Sequence, residues 1–149
     1  MTEVLFYHLT ESRLEDALPA LLEKSLERGW RVVVQTGSEE RRDALDDRLW
    51  TYRDESFLAH GTDRELHAED QPVLLTVGED NPNGAAIRFY VDGAAPGAVE
   101  DYERAVIMFD GHDEAQLQAA RGHWTDLRGR GLQTTYWQQS PEGHWQKKA

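Results

Sequence analysis

Asp110-Gly111-His112-Asp113-Glu114 sets one histidine among three carboxylates directly ahead of a helical pattern. These are the residue types of general acid–base catalysis or of a cation site. A structural reading competes, because Asp113 and Glu114 are also the types that cap a helix and complement its dipole. The six histidines contain no pair at i, i+3 or i, i+4 that would ligate one metal from a helix. Glu79-Asp80-Asn81 lacks the acidic spacing and closing glutamate of a calcium loop. No Gly-x-Ser-x-Gly elbow is present. None of the three lysines, Lys24, Lys147 and Lys148, follows a glycine-rich loop, so the Walker pattern is absent. The first strand–helix turn, His8-Leu9-Thr10-Glu11-Ser12, has no glycine. Its amides are therefore expected not to close around a pyrophosphate, and Glu11 would repel one. No catalytic, cofactor-binding or metal-binding residue is expected.

The last helical pattern carries different chemistry. Leu117, Ala120, Trp124 and Leu127 recur at helical spacing and should lie against a sheet. Arg121, Thr125 and Arg128 share the neighbouring stripe. Its two guanidiniums stand about 10 Å apart along the axis. They can meet carboxylates at two points of one acidic peptide. Trp124 either walls an apolar pocket beside these arginines or lies wholly in the core, with the arginines merely offsetting an acidic body. Spacing leaves both readings open. A second cluster, Trp50, Tyr52 and Phe57, spans a helix–strand connection. Aromatics in such a place mark a protein interface or a loop packed on its own sheet.

The elements that position these residues read as an α/β chain. Residues 4–9 form an apolar strand pattern. Ser12 and Glu15 have the spacing of a capping box, and apolar positions 14, 17, 18, 21, 22 and 26 give a helix that Gly29 stops. Residues 31–36 read as a second strand, and Ser38 caps a second helix whose buried stripe is Ala44, Leu45 and Leu49. A short strand is expected over 57–60 and a polar loop over 61–71. Strands follow over 73–77, 87–91 and 105–109, with a dense turn at 78–84. Asp113 opens the last helix, which Gly129 or Gly131 ends, and residues 132–138 read as an edge strand. Strands alternating with helices predict one three-layer domain over 1–149, a mostly parallel sheet flanked by helices. Ligands bind such sheets where strands end and helices begin. A small nucleotide-binding α/β enzyme is therefore the alternative reading.

Charge separates the partner classes. The chain holds 28 acidic and 16 basic residues, a net charge of −12. From Arg121 onward the balance is +3, which leaves −15 on residues 1–120. Such a body repels phosphates, so direct nucleic-acid binding is not expected. No run has the length of a membrane span, and the first residues do not read as a secretory signal. With no cysteine in the chain there are no disulfides, and a cytoplasmic location is expected.

Phe6-Tyr7-x-Leu9, Gly29-Trp30-Arg31-Val32, Leu45-Asp46-x-x-Leu49-Trp50, Glu55-Ser56-Phe57 and Pro72-Val73 occur in an order that resembles one family. Asn81-Pro82-Asn83-Gly84, Phe109-Asp110-Gly111, Ala120-Arg121-x-x-Trp124 and Tyr136-Trp137 continue it over nearly the whole chain. The family is the chi subunit of the bacterial DNA polymerase III holoenzyme, and the Asn-Pro-Asn and Tyr-Trp-Gln-Gln segments resemble its alphaproteobacterial branch. The resemblance implies a non-catalytic adaptor, a monomer or a heterodimer, with no phosphate loop. One surface would bind the acidic, Phe-ended C-terminal tail of single-stranded DNA-binding protein. Carried over, that site is Arg121 and Trp124, with Leu117, Thr125, Arg128 and Tyr136 around them. Thr125 stands where the family has a basic residue, so Arg128 or Arg130 would supply that charge. The other surface would bind the psi subunit of the clamp loader, or a helicase, through Trp50, Ser56, Phe57 and Leu58. Ala59 replaces a proline common in relatives, leaving that loop less rigid.

Overall fold

The computed structural model describes residues 2–50 and 60–149. Eight strands form one sheet: β1 (Glu3–Leu9), β2 (Val32–Gln35), β3 (Gly61–Thr62), β4 (Val73–Thr76), β5 (Ile87–Tyr90), β6 (Arg104–Asp110), β7 (Gln133–Gln139) and β8 (Trp145–Lys147). Their spatial order is β3-β4-β2-β5-β6-β1-β7-β8, parallel throughout except for the β7–β8 pair. Helices α1 (Leu14–Glu27) and α2 (Glu39–Trp50) pack on one face and α3 (Glu114–Gly129) on the other. This is the three-layer, mostly parallel α/β arrangement expected.

Alternation along each strand divides the core into two. Leu5, Leu9, Val106 and Met108 meet Leu18 and Leu22 of α1, whereas Val4, Phe6, Ala105, Ile107 and Phe109 meet Ala120 and Leu127 of α3. Each of the Val, Leu, Ile, Met and Phe side chains, fully buried, contributes about 1.5–3 kcal/mol. Pro19 lies inside α1, buried against this core, and removes one backbone hydrogen bond from the helix.

The predicted caps fare differently. Ser38 Oγ accepts from Arg41 N (3.2 Å) and Asp113 Oδ1 from Gln116 N (3.1 Å), as expected of N-caps. Gly29 takes the left-handed conformation past α1, at φ 82°. The Ser12 capping box does not form. Helix α1 begins one residue later, with Arg13 at its N-cap and no side-chain cap. Ser12 Oγ instead accepts from Gln139 Nε2 at 3.0 Å.

Gln139 also corrects the reading of the glycine-free turn. Its Oε1 accepts from three successive amides, Thr10 N (3.1 Å), Glu11 N (2.9 Å) and Ser12 N (3.0 Å). The amides do converge, as on a phosphate, but a buried side-chain amide from the end of β7 occupies them. Gln139→Ala should leave these donors without their acceptor and lower stability by about 2–4 kcal/mol. Urea denaturation measures the loss, and Gln139→Glu, which keeps an acceptor, should lose less.

Two further expectations change. The 61–71 segment contains β3 and a 3-10 turn at Ala68–Asp70 rather than loop alone. β7 is not an edge strand, because it pairs with β1 on one side and β8 on the other. The strand expected over 57–60 falls mostly outside the described residues, with only His60 inside. The 81–84 turn has a structural role: Asn81 bonds both the amide and carbonyl of Ala85. Asn83 Nδ2 donates to Val32 O and Gln71 O, tying β2 to the segment before β4.

Candidate functional site

Helix α3 packs on β6 and β7 so that Leu127 and Ala120 point into the core and Trp124 lies over β1 and β7. Trp124 is half-buried, meeting Phe6 edge-on at 5.3 Å and Tyr136 at 5.6 Å. It is therefore neither wholly core nor free. Phe109, Leu117, Ala120, Trp124 and Tyr136 wall a cavity of about 330 Å³, and Arg121, Thr125 and Ala149 complete its mouth. Five of the six residues assigned to one site from the sequence thus line one cavity.

Arg128, the sixth, does not line it. Its guanidinium stands over the outer face of Trp124, 5.3 Å from the ring centroid. Arg130 is committed elsewhere, paired with Glu100 and, at 3.5 Å, with Asp126. The Thr125 hydroxyl donates back to Arg121 O at 3.2 Å, which ties it to the helix. Arg121 is exposed and has no acidic partner among the described residues. The mouth of the cavity therefore carries an uncompensated positive charge beside an apolar interior, suited to a ligand with a carboxylate and an apolar side chain.

Behind Tyr136 stands one group that sequence reasoning missed, His8. Tyr136 and His8 share a hydrogen bond of 2.8 Å between the hydroxyl and Nδ1. His8 also stacks on Phe109 at 4.8 Å. Burial pushes His8 below the ordinary histidine range, His112 and Arg121 reinforce this, and Asp110 opposes it. Burial raises the Tyr136 phenol, with Arg121 opposing. A β-carbon on Gly111 would lie 2.1 Å from His8 Nε2, so glycine there leaves room for the ring. The alternation of β1 shows that His8 shares the face of Phe6, but only the tertiary structure brings Tyr136 beside it.

The acidic cluster around His112 takes structural roles. Asp110 Oδ1 accepts from His112 N (2.8 Å), Asp113 caps α3, and His112 Nε2 lies 2.7 Å from Thr10 O. It borders a separate cavity of about 340 Å³ at the carboxyl ends of β1 and β6, where Arg13, Arg41 and Asp92 also stand. The connections leaving these two adjacent strands run to opposite faces, which is where α/β sheets bind nucleotides. Here the amides of the β1–α1 turn already hold Gln139. Of the second predicted surface, Ser56, Phe57 and Leu58 lie outside the described residues. Trp50 is the last residue of α2.

Residues 1–135 match a family model described as DNA polymerase III chi subunit, HolC, a match that stops just short of Tyr136. The chain is 32% identical over 135 residues to a Pseudomonas aeruginosa protein named DNA polymerase III subunit chi, covering 88% of this chain and 92% of that one. It is 28% identical over 87 residues to a Rickettsia prowazekii protein named probable DNA polymerase III subunit chi, covering 58% and 53%.

Proposed function

Because the chain belongs to the DNA polymerase III chi subunit family, we propose that it is a non-catalytic adaptor of the replicative polymerase. Its α3–β7 cavity receives the acidic, Phe-ended tail of single-stranded DNA-binding protein. One observation carries the reading: an exposed arginine without an acidic partner among the described residues, at the mouth of an apolar cavity, in an otherwise acidic chain. The terminal phenyl ring enters between Trp124, Leu117 and Tyr136. The tail carboxylates meet Arg121, and Arg128 over the Trp124 ring supplies the second charge that Thr125 lacks. Arg130, already paired, does not.

Charge steering raises the on-rate and makes binding salt-sensitive. Screened, exposed ion pairs contribute little, so the buried ring provides most of the affinity. A micromolar-class complex, about −7 to −8 kcal/mol, is expected. The connection to the clamp loader, through psi or a helicase partner at 50–58, completes the adaptor in the cytoplasm. Among the described residues no helix is long and apolar enough to cross a membrane. The nucleotide-enzyme alternative is disfavoured by the Gln139 oxygen on the amides that would hold a phosphate.

Titration of a labelled acidic peptide ending in phenylalanine tests the site. Arg121→Ala should bind about tenfold more weakly than the wild type, the equivalent of about 1.4 kcal/mol. The gap should narrow as salt is added. Equal affinity for the two proteins would overturn the assignment.

A further inference from the structure

On the sheet face that carries α1, no helix among the described residues lies over β7 and β8. Tyr7, Trp137 and Trp145 stand there together, Tyr7 parallel to Trp137 at 6.5 Å and edge-on to Trp145 at 4.8 Å. With α1 as the facing wall they bound a groove of about 480 Å³. The Trp137 indole N–H is buried and has no acceptor among the described residues.

The rim is cationic in a chain of net charge −12. Lys24 of α1 and Arg28, just past its end, line it, and Arg104 closes one end, paired with Glu3 at 2.7 Å. Lys147 pairs across the strands with Trp137 and so lies on the same face. Two of the chain's three lysines thus flank one aromatic groove. Neither Lys24 nor Lys147 has an ion-pair partner among the described residues, and Glu27 is the single acid lining the groove.

We propose that this groove docks an amphipathic helix of a partner protein, apolar on one side and acidic along its flanks. The shape favours a helix. The groove runs beside α1 over seven-residue strands about 23 Å long, and a second helix could pack beside α1 at the usual 8–10 Å. The charge sets the flanks, because Lys24, Arg28 and Lys147 would face glutamates or aspartates on the incoming helix. The aromatic floor supplies rigid apolar anchors. This surface lies on the opposite face of the sheet from the α3–β7 cavity and does not depend on what that cavity binds.

Calorimetric titration of the full chain tests it. The probe is a blocked helical peptide with a leucine stripe and glutamate flanks; a lysine-flanked counterpart and a single-stranded oligonucleotide are run beside it. The glutamate peptide should bind saturably. Binding should be at least about tenfold weaker in the Lys24→Glu/Lys147→Glu double variant. That variant should keep the wild-type melting temperature and its affinity for the Phe-ended peptide. The proposal is overturned by no binding, by undiminished binding to the double variant, or by tighter binding of the lysine peptide or oligonucleotide. Displacement by the Phe-ended peptide, or self-association of the chain through this face in sedimentation, would overturn it too.

Discussion

Replacing Arg88 with methionine is expected to lower folding stability by about 3–5 kcal/mol, although the side chain is of similar length. Arg88 lies in the central strand β5 and is 1% exposed. Its Nε and Nη2 donate to Gln35 Oε1 (3.1 and 2.6 Å), Nη2 also to Gly78 O (2.6 Å), and Nη1 to Asp80 O (3.0 Å) and Tyr102 Oη (2.9 Å). All five N–H donors of the guanidinium are thereby used. None of these partners is a carboxylate; neutral acceptors and the flanking Tyr90 and Tyr102 rings compensate the charge. A buried cation can often be exchanged for an apolar side chain when its partners are exchanged with it. Here the partners remain: the buried oxygens of Gln35 and Tyr102 lose their donor, while the carbonyls of Gly78 and Asp80 lie on an exposed turn. Lysine keeps the charge but has three donors from one point, so Arg88→Lys should lose about 2 kcal/mol or more. Urea unfolding ranks the variants. A methionine variant within 1 kcal/mol of wild type would show that the network contributes little.

Trp124→Ala should weaken binding of the Phe-ended acidic peptide by more than tenfold, a larger effect than that of Arg121→Ala. The indole is at once the cavity wall, the edge-on partner of Phe6 and Tyr136, and the seat of Arg128. Truncation removes the apolar contact for the incoming ring and releases Arg128. Stability should fall too, by about 1–3 kcal/mol, less than for a fully buried tryptophan because this one is half exposed. Trp124→Phe separates the effects, since a smaller ring keeps the packing on Phe6 and should recover stability more fully than affinity. Peptide titration and thermal denaturation on the same three proteins measure both. Wild-type affinity in Trp124→Ala would place the ligand elsewhere.

The part of this site that was legible before the fold was known was local. Leu117, Ala120, Arg121, Trp124 and Thr125 lie on one helix, and 3.6-residue periodicity alone groups them on adjoining stripes. Tyr136 came from the resemblance, and β1 places it beside that helix by pairing with both β6 and β7. Arg128 lies where periodicity stops being informative. Its stripe was correct, yet a rotation onto the Trp124 face, invisible to spacing, moved it from the cavity to its outer wall. β8 went unrecognised because three residues, two of them polar, carry no periodic signal.

Residue order by itself determined the alternation of strands and helices, the amphipathic face of α3, the Ser38 and Asp113 caps and the uneven charge. Each depends on residues within about one or two turns or strand steps of one another. The tertiary structure alone decided what those faces meet. Gln139 reaches the turn at 10–12, and Arg88 reaches Gln35, across separations of more than 50 residues. Such contacts depend on strand order, which sets β7 beside β1 and β5 beside β2. Periodicity tells which side of an element is buried, because burial follows the pitch of the backbone. It cannot tell which distant polar group will stand opposite, because that is fixed only when the sheet assembles.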